Sequence, residues 1–283
     1  LTINVLHLCA VIYKLLQRGW RTIHLKLLKF TIMARQKGII KLKGTIGDIT
    51  FYKTKDGYIA REKGGIDANR IANDPAFQRT RENGAEFGRA GKAGRLLRTS
   101  IRALLLHASD SRMVGRLTKE MIKVIQADQV SDRGLRNVID GEAELLTGFE
   151  FNIRGALRTT LFAPYTAVLD RTAGTAGVTF EPFVPSNMIN APGGTTHFKI
   201  HTAGTAIDFE AETFATASSS TALLPWDSVL TGPLDLENAL PAASTNVLFL
   251  VVGIEFYQEI NQQLYPLKNG AFNALSVLKV SGL

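Results

Sequence analysis

At about Phe149 the chain changes character. Before it, apolar residues recur at helical spacing among many lysines and arginines. After it, Thr, Val, Phe, Pro and Gly dominate and the cations nearly vanish. A helical period on one side and short strand-like runs on the other exclude a uniform bundle or a uniform sheet. Charge divides the chain in a similar way. Residues 1–32 carry five basic and no acidic residues, 33–160 carry 24 and 15, and 161–283 carry 4 and 10, within an overall +8. A basic front and an acidic back can satisfy each other within one molecule or between copies, and head-to-tail association is one physical consequence.

After the change, the candidate strands are 157–162, 165–169, 177–180, 196–201, 206–209, 247–259, 263–267 and 272–280. Turn signals separate them at 172–177, 191–195, 215–220 and Asn269-Gly270. Short strands at this spacing predict an antiparallel sandwich of immunoglobulin-like size, with the apolar run 248–254 as its central strand.

Upstream, residues 44–65 read GTIGDITFYKTKDGYIAREKGG. Asp56-Gly57 is a strong hairpin signal, because a type I′ turn needs positive φ at both central residues. A loop of these two residues pairs Lys55 with Tyr58, Lys53 with Ala60 and Phe51 with Glu62. Phe51, Lys53, Tyr58 and Ala60 then share one face, and Tyr52, Thr54, Ile59 and Arg61 the other. Each face carries an aromatic and a cation and neither is cleanly apolar, so the ribbon has to pack against something in this chain or in another copy. Ile39, Ile40 and Leu42 suggest a preceding strand, and 66–73 reads as a connector.

Residues 74–108 read as helix. Asp74 caps it and Pro75 takes its first position. Phe77, Ala90, Leu97, Ile101, Leu104 and Leu105 give the spacing. Gly84, Gly88, Gly91 and Gly94 are unusual inside a helix. They point either to close approach by a neighbouring backbone or to a break near 91–94. Arg95, Arg98 and Arg102 fall on one face at i, i+3, i+7, led by Arg89 and Lys92. These five are the candidate contacts for an anion or a nucleic-acid backbone; a solvated polar face is the plainer alternative. The phosphate-loop pattern fails here, because Glu86 and Ala93 stand where Gly and Ser or Thr are required. A second helix, 112–127, capped from Ser109-Asp110-Ser111, carries the stripe Met113, Leu117, Met121, Val124 and Ile125. A short third helix is expected within 135–146.

Residues 1–32 contain no acid and look unlike the rest. They read as a basic amphipathic leader or as a non-native upstream extension before a start at Met33, whose sequence holds no secretory signal and so implies the cytoplasm by default. Cys9 is the single cysteine, so the chain cannot form a disulfide with itself. No stretch reaches the roughly 18–20 apolar residues of a membrane span. His197 and His201 alternate with Phe198 and Ile200 as in a strand, which sets them about 13 Å apart and excludes a shared metal. Asp208, Glu210 and Glu212 read as a solvated strand end, and Ser218–Ser220 as a loop. His107 reads as a cap or surface residue, and Trp226 as a plug at the end of the sandwich. Catalytic, metal and cofactor residues are not expected.

From Met33 onward the chain resembles a group of proteins of undefined activity common in Bacteroidota genomes. The resemblance rests on GTIGDITFYKTKDGY, REKGG, DPAFQRTRENGAEFGRAGKAGRLLR, APYT, GTTHFKI, EFYQE and PLKNGAFNAL. It implies a bacterial host and carries no activity with it. The expectation is therefore an α+β chain: an upstream segment 1–32, a hairpin and basic helical region 33–148, and an acidic β-sandwich 149–283. Its expected role is a non-enzymatic structural or assembly protein that binds copies of itself or another protein. The alternative is a nucleic-acid-associated protein acting through Arg89, Lys92, Arg95, Arg98 and Arg102.

Overall fold

The computed structural model describes residues 34–62, 65–108 and 110–282; the upstream segment 1–32, read as an extension or a leader, lies outside them, as do Met33 and Ser109. The chain is α+β, with helices and antiparallel sheets, and divides into two compact units between Ala68 and Asn69. The boundary expected near 149 falls inside the second unit.

The first unit is a four-stranded antiparallel sheet of β1 (Ala34–Arg35), β2 (Gly44–Ile46), β3 (Ile49–Thr54) and β4 (Gly57–Glu62), in the order β1-β4-β3-β2. The hairpin forms, but its register differs from expectation. Thr54 pairs with Gly57, Lys53 with Tyr58 and Phe51 with Ala60. Gly57 takes positive φ, whereas Asp56 does not, so the turn is not type I′. The Thr54 hydroxyl is the cause: it accepts from the Asp56 N–H at 3.2 Å and donates to the Gly57 carbonyl at 3.1 Å. The slip changes each pairing by two residues, so every side chain keeps its predicted face. Tyr58 lies under the ammonium groups of Lys41 and Lys53, at 5.9 and 5.5 Å, and Tyr52 under Arg61 at 5.4 Å. Ile39, Ile40 and Leu42 lie in the link between β1 and β2, not in a strand of their own. Gln36 fixes that link through both ends of its amide, accepting from the Leu42 N–H and donating to the Ile59 carbonyl.

The second unit has three layers. The connector expected at 66–73 contains α1 (Ala68–Asn73), followed by a 3₁₀ turn, Pro75–Phe77. Asp74 caps that turn by accepting from the Ala76 N–H at 2.9 Å. Next come α2 (Gln78–Ser100), α3 (Arg102–Leu105) and α4 (Met113–Gln126). Helix α2 runs through all four glycines without a break. A Cβ on Gly84, Gly88 or Gly91 would meet nothing within 4 Å; only Gly94 faces a neighbour, the Leu117 side chain on α4 at 3.5 Å. All five stripe residues of α4 are buried. The expected third helix is only a 3₁₀ turn, Ala143–Leu146.

The remaining strands are β5 (Tyr165–Asp170), β6 (Thr175–Phe180), β7 (His197–Asp208), β8 (Thr213–Ser220), β9 (Leu224–Pro225), β10 (Leu234–Ala239), β11 (Val247–Ile260), β12 (Gln263–Pro266) and β13 (Ala274–Ser281). The central sheet runs β12-β11-β7-β8, with β13 also on β11 and β9 on β7; a second sheet runs β10-β6-β5. Alternation sends Ala203, Ile207, Phe249 and Val251 of the central sheet into one core with α2 and α4. It sends Phe198, Ile200, Leu250, Val252 and Ile254 into another core with Val178 and Phe180 of the second sheet. Strand β11 is thus apolar on both faces, as its sequence predicts. The compositional change at Phe149 coincides with the chain meeting the sheet. The Phe149 carbonyl accepts from the Val277 N–H at 3.0 Å, and the Phe151 N–H donates to Leu275 at 2.8 Å.

Three expectations fail here. Residues 157–162 hold a helical turn, α5 (Leu157–Thr160), in place of a strand. The segments 196–201 and 206–209 are one strand, β7. Its Gly204 is a place of close packing and not a turn, because a Cβ there would come within 2.7 Å of the Ala176 Cβ. Residues 215–220, read as a turn and loop, belong to edge strand β8. One more contact fixes the architecture. In the β5–β6 turn, the Arg171 guanidinium donates to the carbonyls of Ser244, Asn246, Ser281 and Gly282 and to the Ser281 hydroxyl, at 2.6–3.0 Å.

Candidate functional site

The structure does not leave the five basic residues as one free face. Arg89 is turned inward, its guanidinium donating to the Arg136 carbonyl at 2.7 Å and to the Gly134 carbonyl. Beside it the buried Glu86 carboxylate accepts from the Gly134 N–H at 2.9 Å, so the two side chains anchor the 133–136 loop to α2. Lys92 lies 3.7 Å from the Glu212 carboxylate, an exposed ion pair that links α2 to the β7–β8 turn of the same unit. Arg98 donates back to the Gly94 carbonyl of its own helix at 3.2 Å. Arg95 and Arg102 are exposed and have no side-chain partner among the described residues. They are not on one continuous helix, because α2 ends at Ser100 and the chain turns at Ile101 before α3. A cavity of about 160 Å³ lies beside Arg89 and Lys92, lined also by Ala93, Leu96, Val138 and Phe209.

A second constellation was not legible as a site. On the helix-facing side of the central sheet, β7 places Lys199 and His201 next to Glu255 and Gly253 of β11. His201 and Glu255 are 6% and 8% exposed. The His201 Nδ1 lies 3.4 Å from the Glu255 Oε1, and the Tyr257 hydroxyl donates to Oε2 at 2.5 Å. Burial pushes His201 down to about 4, against the pull of the Glu255 charge. Burial and the bond to Glu255 push the Tyr257 hydroxyl up. The imidazole is therefore neutral near pH 7. Its Nε2 has no hydrogen-bond partner among the described residues and sits over Gly253, where a Cβ would come within 2.1 Å of it. The Glu–His pair resembles the base of a nucleophilic triad, but no hydroxyl stands at Nε2 to be activated. An open cleft of about 300 Å³ adjoins this cluster, bounded by β7, β8, β11 and the end of α3.

His197 and His201 both lie on β7, as predicted, and do not meet. His197 Nδ1 contacts the Thr196 hydroxyl at 3.0 Å. Asp208 closes a turn by accepting from the Glu210 and Ala211 N–H groups, and the carboxylates of Glu210 and Glu212 are solvated. His107 is a surface residue, and the Trp226 indole donates to the Ile189 carbonyl at 3.3 Å beside the inter-sheet core. Among the described residues no group of three or more His, Cys, Asp or Glu could hold a metal, and no helix is long and apolar enough to cross a membrane. No family model, curated protein or solved structure matches this chain.

The sequence missed the Glu255–His201–Tyr257 cluster because its members come from strands about fifty residues apart. The available signal was a glutamate closing the apolar run of β11 and a histidine next to the apolar residues of β7. A buried ionisable residue in such a strand needs a partner.

Proposed function

We propose that this is a non-enzymatic structural or assembly protein whose copies associate through the N-terminal sheet. One observation carries the reading: no described residue of 34–62 is buried, although the unit is an ordered four-stranded sheet. A sheet of this size in water needs an apolar face covered by something else. Its register gathers an apolar cluster on the face that also carries Lys53 and Glu62: Ile46 stands opposite Ile49, and Phe51 and Ala60 continue the same face. Ile46 and Ile49 are exposed, as are Ile39 and Ile40 in the adjoining link. Each such side chain gains about 1.5–3 kcal/mol on full burial. The occupant we infer is a second copy of this chain. Residues 34–62 carry seven basic and three acidic residues, and the −6 of 161–283 offers the complementary surface. Contact between two different surfaces is heterologous, and propagates as rings or open chains of copies. To the two face-to-face sheets of the second unit we apply the label immunoglobulin-like sandwich, supported by antiparallel strands that share one inter-sheet core.

The test is light scattering on a sizing column with the full chain, recording absorbance at 260 and 280 nm. The expected result is a mass that rises with protein concentration and returns to one chain in the double variant Ile46→Lys, Ile49→Lys. A single-chain mass at every concentration refutes the reading. A single chain that carries nucleic acid, lost in high salt and in Arg95→Glu, would establish the rival role for the exposed Arg95 and Arg102.

A further inference from the structure

We propose that the cleft beside Glu255 binds a small hydroxylated monocarboxylate, of the uronic-acid class. The argument starts from which polar groups are already used. Both Glu255 oxygens are engaged inside the protein, one by the Tyr257 hydroxyl and the other beside the His201 Nδ1. The Lys199 ammonium, the His107 ring and the hydroxyls of Ser218 and Ser220 line the same cleft. They have no side-chain partner among the described residues. The cleft therefore offers one unpaired cation and several further hydrogen-bonding groups, and its own acceptor is occupied. Such a surface takes an acceptor-rich ligand.

Charge narrows the class. Lys199 stands directly across from Glu255 on the neighbouring strand. One ammonium matches one carboxylate of a ligand. A dianion such as phosphate brings twice the charge toward the Glu255 carboxylate, with the same single ammonium to offset it. Hydroxyls on the ligand match Ser218 and Ser220, each able to donate or accept, and the His107 ring beside them. Ala103, Leu104 and the half-buried ring of Tyr257 supply the apolar wall that the C–H face of a sugar ring requires. A cleft of about 300 Å³ is at the small end of ligand sites and suits a single sugar ring. The lining residues all belong to the second unit, from Ala103 of α3 to Tyr257 on β11.

Titration calorimetry of the full chain with D-galacturonate and D-glucuronate tests this, with D-galactose and inorganic phosphate as comparison ligands. The expected result is saturable uronate binding, weakened at least tenfold in Lys199→Gln while the melting temperature stays unchanged. Galactose, which lacks the carboxylate, should bind at least tenfold more weakly than galacturonate. Four results would overturn the proposal: no saturable uronate binding up to tens of millimolar, unchanged affinity in Lys199→Gln, galactose as tight as galacturonate, or phosphate as tight as either uronate. Ser218→Ala, on an exposed strand, is a second variant that keeps the fold and should also weaken uronate binding.

Discussion

Acidification from pH 7 to about 5 should destabilise the second unit through His201. Its imidazole titrates near 6.5 when unfolded and is pushed down to about 4 in the fold by burial. The neutral form is therefore the one the fold prefers. The stability it contributes is fully present above about pH 6.5 and is lost as pH falls through the window from 6.5 to 4. At pH ~5 the unfolded chain has taken up the proton and the folded one has not, a difference of about 2 kcal/mol. The loss approaches about 3 kcal/mol below pH ~4. For a unit of this size that is a fall of roughly 4–8 °C in Tm between pH 7 and 5. Carboxylates do not mimic it. Burial pushes Asp128 up, but the N–H groups of Ser131, Asn137 and Val130 outweigh it and hold it at about 2, so its contribution is lost only at lower pH. Burial raises Glu150, so its stabilising effect is present at low pH and lost as pH rises, with the opposite slope. Thermal melts followed by circular dichroism at the two pH values, for the native chain and His201→Gln, provide the assay. The variant should be less stable at pH 7 and lose much less than the native chain on acidification. An equal loss in both would refute the assignment to His201.

Two further sets of substitutions follow from the packing. Gly84, Gly88 and Gly91 sit inside α2 with open space where a Cβ would go, so Ala at each should stabilise the chain by about 1 kcal/mol. A Tm that falls instead would mean that these positions are packed closely in solution. Arg171→Ala leaves four carbonyls and a hydroxyl without their charged donor and should cost about 3 kcal/mol, read as a lowered urea midpoint. Arg171→Lys should recover only part of that, because an ammonium cannot reproduce the fork; full recovery would show that charge alone matters.

What the sequence made legible was periodic. The stripe of α4, the two-faced apolar run of β11 and the two faces of the hairpin all follow from alternation or 3.6-residue spacing. That logic survived even where the pairing was wrong, since the hairpin slip changed each pairing by an even number. What it hid was set by distant contacts. The strands 196–201 and 206–209 read as separate until Gly204 between them is seen packed against Ala176, and Ser218–Ser220 reads as a loop until β7 is seen to pair with it. The basic face was legible as charge but not as geometry. Arg89 is consumed by a loop some 45 residues away, and α2 stops before Arg102.

The Arg171 contact also has a mechanical side. One guanidinium joins the β5–β6 turn of the smaller sheet to the segment entering β11 and to the end of β13 in the larger one. Sliding one sheet along the other would break all of these bonds together, so shear between the layers is blocked at that end. Two further bonds cross between the layers, from the Asn238 amide to the Thr202 hydroxyl at 2.9 Å and from the Lys279 ammonium to the Ala167 carbonyl at 3.1 Å, so the sheets are fastened across their faces as well as at the turn.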